Sequence, residues 1–180
     1  MAGRNIIITG GSTGLGAALT KYFLTNGDNV AINYRSEAKL NSLLVEIEKK
    51  IFEGNFLTIK ADVRKRAEVK NMMKQAKTEF KTCDTLINCA GINRDKKFLD
   101  LTDKDWNSVV DTHLKGTFIC SQEFIRNLEP NKGSIITIGA NCGLSGRKNG
   151  ANFCSSKGAI FALTKCMARE LAPQIRVNCI

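Results

Sequence analysis

The 180 residues carry 43% hydrophobic and 24% charged side chains, the ordinary balance of one globular domain with a buried core. No apolar run is long enough to span a membrane, and the start of the chain lacks the apolar segment and cleavage site of a secretory signal, so a cytoplasmic protein is expected. A formal net charge of +10 raises nucleic-acid binding, but Lys39, Lys49, Lys50, Lys70, Lys74, Lys77 and Lys81 spread as on solvated helix faces, and no nucleic-acid partner is expected.

Short apolar runs then alternate with stretches of helical period. The strand candidates are Asn5–Thr9, Asn29–Tyr34, Phe56–Ala61, Thr85–Asn88, Ser134–Ile138 and Ile175–Cys179. Leu40, Leu43, Leu44, Ile47 and Ile51 recur at helical spacing, as do Val69, Met72, Met73, Ala76 and Phe80. Trp106, Val109, Val110, His113 and Thr117 repeat it within an expected helix over Asp103–Leu128. Ile160, Leu163, Thr164, Met167 and Leu171 do so over Asn152–Leu171. These stripes predict core faces. Pro130 and Pro173 each follow a helical pattern, as stop signals do. With no repeat or linker, residues 1–180 are expected to form one α/β domain, a doubly wound parallel sheet in three α/β/α layers (a Rossmann fold).

After the first strand comes Thr9-Gly10-Gly11-Ser12-Thr13-Gly14-Leu15-Gly16, where a helix opens. Glycines let the backbone turn tightly beside a pyrophosphate, and a helix N-terminus offers unpaired N–H groups and a positive dipole end. The spacing is GxxxGxG, not the generic GxGxxG, and the strand–turn–helix context is what gives it weight. At the end of the second strand an NAD site wants a carboxylate for the ribose. Here Arg35 and Ser36 stand instead, suited to a 2′-phosphate, and the expected cofactor is NADP(H). Seven cysteines without a CxxC pair and one histidine make no metal set; reduced, packed thiols and no metal are expected.

The glycine segment, together with Asn88-Cys89-Ala90-Gly91 after the fourth strand, resembles the classical short-chain dehydrogenase/reductase family, and within it the 3-oxoacyl-acyl-carrier-protein reductases and acetoacetyl-CoA reductases. The resemblance runs from residue 5 to residue 180. It implies cofactor contacts from Gly10, Ser12, Thr13, Gly14, Leu15, Gly16, Arg35, Ser36, Asp62, Val63, Asn88, Ala90, Gly91, Ile138 and Lys157. Gly133–Gly139 resembles the strand leading into the family's active site. The substrate class it implies is a small carbonyl or acyl thioester.

The family's chemistry rests on Ser, Tyr, Lys and Asn, and this chain departs from that set. The YxxxK motif reads Phe153-Cys154-Ser155-Ser156-Lys157, so the lysine matches and the tyrosine does not. Counting back from Lys157 by the family's serine-to-lysine spacing reaches Ala140. The asparagine position holds His113. In the family the tyrosine protonates the reduced carbonyl oxygen, the serine stabilises the developing oxyanion and the lysine also holds the cofactor ribose. Losing a general acid costs about 10² to 10⁴ in rate, and losing an oxyanion donor about 3 to 4 kcal/mol. The leading expectation is therefore an NADP(H)-binding protein with impaired catalysis. The alternatives are an active oxidoreductase with an unconventional proton donor, a non-catalytic partner of an active relative, and a fragment or inactivated variant.

Stand-in donors are few. Tyr22 and Tyr34 belong to the N-terminal unit, His113 reads as a hydrogen-bonded core residue, and Ser145 as a polar loop residue. Cys142 and Cys154 flank the site and read as inert packed thiols. Family members usually run several tens of residues further, with a Pro-Gly loop, a lid and a seventh strand. An uncovered apolar surface beside the sixth strand is therefore expected. The helices at Asp103–Leu128 and Asn152–Leu171 resemble the family's pairing surfaces, implying a homo-oligomer or pairing with a related subunit.

Overall fold

The computed structural model describes residues 3–49, 52–128 and 132–180; Lys50, Ile51 and Pro130 lie outside them. Six strands, β1 (Asn5–Thr9), β2 (Asn29–Tyr34), β3 (Phe56–Lys60), β4 (Thr85–Asn88), β5 (Gly133–Thr137) and β6 (Ile175–Cys179), form one sheet. Their order is β3-β2-β1-β4-β5-β6 and every pairing is parallel. The doubly wound sheet and its α/β/α layers match the expectation.

Side-chain alternation divides the core. Ile6 and Ile8 of β1 join Val30, Ile32 and Ile87 under α1 (Gly14–Thr25) and α2 (Glu37–Glu48), where Leu24, Leu40, Leu43 and Ile47 are buried. Ile7 points to the other face with Ala31, Leu86 and Ile135, beneath α3 (Arg66–Phe80), α5 (Gly116–Asn127) and α7 (Ala151–Leu171). Val69, Met72, Met73 and Ala76 of α3 are at most 1% exposed, so that stripe is the core face its period predicts. Glu123 holds α5 to α3 across the surface: buried itself, it pairs with Arg66 and Arg126, each at 2.6 Å.

Four details differ from the sequence reading. The strand ends move by one residue, because Ala61 and Ile138 still hydrogen-bond Tyr34 and Asn88 but lie beyond the regular ladders. The expected continuous helix over Asp103–Leu128 is α4 (Asp103–Val110), a π-helical turn over Asp111–Lys115 and then α5. Trp106 is exposed, not core, because α4 buries only Val109 and its first turn sits at the rim, held by a Thr102–Asp105 capping box. The loop after β5 contains a short helix, α6 (Cys142–Ser145).

At the sixth strand Ile175 and Val177 are buried against α7, Arg176 and Asn178 on the alternate positions are exposed, and Ile180, next in that alternation, is 73% exposed. Among the described residues no helix is long and apolar enough to cross a membrane, and no group of side chains is arranged to hold a metal.

Candidate functional site

A cleft of about 380 Å³ opens over the carboxyl ends of the strands, where the strand order reverses between β1 and β4. Its floor is tied together by two polar side chains. Thr9 Oγ1 accepts from the N–H groups of Cys89 and Ala90, at 3.0 and 3.1 Å. Asn33 Oδ1 accepts from Gly10 N at 3.1 Å, while its amide donates to the Ala61 carbonyl at 3.0 Å.

On that floor sits the glycine turn. Gly10, with φ +64, passes so close to β4 that a Cβ there would stand 2.9 Å from the Ala90 Cα. At Gly16 a Cβ would fall 2.2 Å from the Gly10 carbonyl oxygen, so only glycine lets α1 start so near the strand. The N-cap of α1, Thr13, makes no side-chain cap bond, and no acidic residue stands in the first turn. The leading N–H groups of a twelve-residue helix are thus left to an anion. Ser12, Thr13 and Leu15 line this part of the cleft with Gly10 and Gly16.

Beyond the turn the walls are Arg35, Ser36, Asp62 and Val63, joined by Tyr34, Lys39 and Ala61. Asp62 is the one carboxylate lining the cleft among the described residues, and Arg64 occupies it through both oxygens at 2.9 and 3.0 Å. That hydrogen-bonded guanidinium holds the carboxyl below its ordinary pKa. The nearby Glu37 is engaged by Lys60 at 3.0 Å and by the Tyr34 hydroxyl at 3.4 Å. Among the described residues Arg35 and Lys39 make no such carboxylate bond, so this end of the cleft presents net positive charge.

At the opposite end the walls are Ala90, Gly91, Ile92, His113, Ile138, Gly139, Phe153 and Lys157. Lys157 is buried, and its Nζ donates to the Ile138 carbonyl at 2.5 Å and lies 5.5 Å from the Phe153 ring centre. Burial lowers the lysine pKa from its ordinary value. The Phe153 ring is also covered by the Arg147 guanidinium at 4.8 Å, itself fixed by Asp95 at 2.7 Å. No hydroxyl stands on the ring, and the wall hydroxyl nearest in sequence, that of Thr112, donates to the Ser108 carbonyl at 2.7 Å.

His113 hangs from the π-helical turn and is 4% exposed. Its Nε2 meets the Ile92 N–H at 3.1 Å and the Ile92 carbonyl at 2.8 Å. One nitrogen serves only one of these at a time, and Nδ1 has no partner. Burial drives the imidazole pKa down to about 4, against the opposing hydrogen bond that the ring donates to the Ile92 carbonyl. The ring is neutral at pH 7, packed on Gly91, where a Cβ would lie 2.4 Å from its Cε1.

Three residues expected at the site are not cleft walls. Asn88 is buried, with its amide donating to Ser121 Oγ at 3.1 Å, so it faces α5. Gly14 turns the chain with φ +51, and a Cβ there would meet nothing within 4 Å. Ala140 is half-buried and directly follows the cleft residue Gly139, and its carbonyl accepts from Gly143 N at 2.9 Å to start α6. The sequence reading missed Asn33 and Lys39. Their signals were an amide in an otherwise apolar strand end and a cation one helical turn beyond Ser36.

Comparison with known proteins gives a consistent answer. The family model described as short chain dehydrogenase matches residues 4–180. The chain is 36% identical to the 3-oxoacyl-acyl-carrier-protein reductase FabG of Staphylococcus epidermidis over 180 residues, covering 98% of this chain and 73% of that one. The Staphylococcus aureus protein of the same name is 35% identical, with 98% and 72% covered. Among solved structures, a double-mutant short-chain dehydrogenase/reductase of Serratia marcescens superimposes with a TM-score of 0.89 at 30% identity, covering 99% of this chain and 73% of that one. A glucose/ribitol dehydrogenase of Brucella melitensis does so with a TM-score of 0.90 at 26% identity, covering 99% and 71%. Fold, cleft and sequence agree that this chain belongs to the short-chain dehydrogenase family.

Proposed function

We propose that the cleft holds NADP(H) and that carbonyl reduction by this chain is impaired at the proton-transfer step. The residues fit the cofactor on three counts. The turn at Gly10 and Gly16 leaves no room for side chains, the α1 N-terminus carries no competing carboxylate, and Arg35, Ser36 and Lys39 offer donors where a 2′-phosphate is to be gripped. Asp62 and Val63 flank the adenine end, Ala90, Gly91 and Ile138 form the wall toward the ring end, and Lys157, held by the Ile138 carbonyl, would donate to the ribose hydroxyls. Bound NADP(H) supplies or accepts the reducing equivalent.

What this chain's residues do for the substrate is limited. Phe153 retains an aromatic ring seated between two cations but has no proton to deliver, and Ala140 has no hydroxyl for an oxyanion. Lys157 orients the ribose and stays beside a ring whose pKa it has no way to tune. The relatives named as 3-oxoacyl-acyl-carrier-protein reductases direct the substrate class toward 3-oxoacyl thioesters. The observation that carries the reading is Phe153 itself, lying in the cleft wall between His113 and Lys157.

Calorimetric titration with NADPH and NADH, followed by turnover of a 3-oxoacyl thioester, tests it. Saturable binding that favours NADPH, with turnover at least about 10²-fold below a Tyr-containing relative, is the expected result. Absence of binding to folded protein removes the cofactor reading, and ordinary turnover removes the impairment.

A further inference from the structure

Asp62 lies in the turn between β3 and α3, and that turn is fixed from three sides. Its N–H donates to Glu68 Oε2 at 2.8 Å, and its carbonyl accepts from Lys65 N at 2.9 Å. The next residue, Val63, packs on Gly116, where a Cβ would lie 2.8 Å from Val63 Cγ2. Held in this way, the Asp62 carboxylate faces Arg64 and is filled by it. Oδ1 accepts the Arg64 backbone N–H at 3.0 Å and Nε–H at 2.9 Å, and Oδ2 accepts Nε–H at 3.0 Å together with Nη2–H. Two donor contacts on each oxygen use the roughly four acceptor sites of a carboxylate. The guanidinium is not used up in return. Its Nη1 makes no hydrogen bond among the described residues, and the Arg64 side chain is 34% exposed. Arg35 and Lys39 stand on the same wall, so the charged groups left free at this end of the cleft are all donors.

We propose that Arg64 is a specificity-determining residue for the base of the dinucleotide: it withdraws Asp62 from base recognition and offers guanidinium N–H groups in its place. The proposal rests on the cofactor reading above and adds to it which purine edge the cleft takes. Adenine presents a 6-amino group, a donor, which meets a carboxylate whose oxygens are already occupied. A 6-oxopurine presents an acceptor at the same position, and the free N–H groups of Arg64 form a charge-assisted hydrogen bond with it. The cleft therefore accepts the hypoxanthine dinucleotide phosphate alongside NADPH. Removing the guanidinium reverses this. In Arg64→Ala the turn keeps its bonds to Glu68 and Lys65, and Asp62 is free to accept from a 6-amino group and to repel a 6-oxo group.

The test is calorimetric titration of the wild type and of Arg64→Ala with NADPH and with reduced nicotinamide hypoxanthine dinucleotide phosphate. The wild type is expected to bind the two within about threefold of each other, and Arg64→Ala to favour NADPH by at least about tenfold more than the wild type does. The two bases also differ by a proton at N1, but that difference is common to both proteins, so the change in the ratio isolates the 6-position. A merely structural role for Arg64 weakens both nucleotides equally and leaves the ratio where it was. That result, or a wild-type preference for NADPH beyond about threefold, would overturn the proposal while leaving NADP(H) binding standing. Should Arg64→Ala not fold, the wild-type ratio decides by itself. Binding of neither nucleotide to folded wild type removes the cofactor reading and this proposal with it.

Discussion

The rings of His113 and Phe153 stand nearly perpendicular, at 85°, with their centres 5.0 Å apart. Two positions at which the family's chemistry is altered are thus one packed unit, and substitutions there are coupled rather than additive. Restoring Phe153→Tyr sets a hydroxyl on a ring already placed beside Lys157, and Ala140→Ser restores the second donor. The double variant is expected to gain at least about 10²-fold in turnover of a 3-oxoacyl thioester with NADPH. Phe153→Tyr alone should recover less, since the two donors act together. Steady-state kinetics of the three variants checks this. An unchanged rate would place the impairment elsewhere.

His113 also makes stability depend on pH. Its pKa is about 4 in the folded chain against 6.5 for the ordinary group, so the unfolded chain takes up a proton that the folded chain refuses. The associated stability is complete above pH 6.5 and is lost as pH falls toward 4, amounting to about 3 kcal/mol at most. Urea unfolding of the wild type and of His113→Asn across this range is the measurement. The wild type should lose more stability than the variant as pH drops. Parallel curves would show that the imidazole is not held neutral by its burial.

The preference for the phosphorylated cofactor is expected to reside in Arg35 and Lys39, which share the cleft wall where no unengaged carboxylate stands. A charge-assisted hydrogen bond to a phosphate contributes about 1.5 to 3 kcal/mol, which corresponds to roughly 10- to 100-fold in affinity. Arg35→Ala should weaken NADPH by that factor and leave NADH within about twofold, and Lys39→Ala should do the same to a lesser degree. Equal losses for both nucleotides would mean that these side chains shape the cleft generally and do not read the 2′ position.

The sheet was legible because its signals are local and repeated. Ile6, Ile7 and Ile8 form an unbroken apolar run because β1 is covered on both faces, and Met72 and Met73 sit where the helical period places them. What escaped depended on details that period does not carry. The π-helical turn at Asp111–Lys115 adds a residue to one turn without changing composition, and it is this turn that swings His113 onto Ile92. Trp106 matched an apolar stripe, but nothing in the spacing says where the covering layer stops. Asn88 belongs to a recognisable motif yet spends its amide on Ser121, a contact set by tertiary packing alone.

The glycine turn offers a sharp contrast between steric and conformational demands. At Gly16 the obstacle is backbone: an added Cβ would sit 2.2 Å from the Gly10 carbonyl oxygen and 2.9 Å from its carbonyl carbon. Neither atom yields without moving the turn, so Gly16→Ala should cost about 1 to 3 kcal/mol of stability and displace the N–H groups that meet the pyrophosphate. Gly14 has open space around its missing side chain but a φ of +51, so alanine there costs only the left-handed backbone, about 1 to 2 kcal/mol. Asparagine tolerates that region best after glycine and should cost less than alanine at 14, with no such relief at 16. Thermal melts together with NADPH titration of Gly14→Ala, Gly14→Asn, Gly16→Ala and Gly16→Asn separate the two effects. Nucleotide binding should survive at 14 and fail at 16; relief by asparagine at both positions would mean that backbone conformation, and not contact with Gly10, governs the turn.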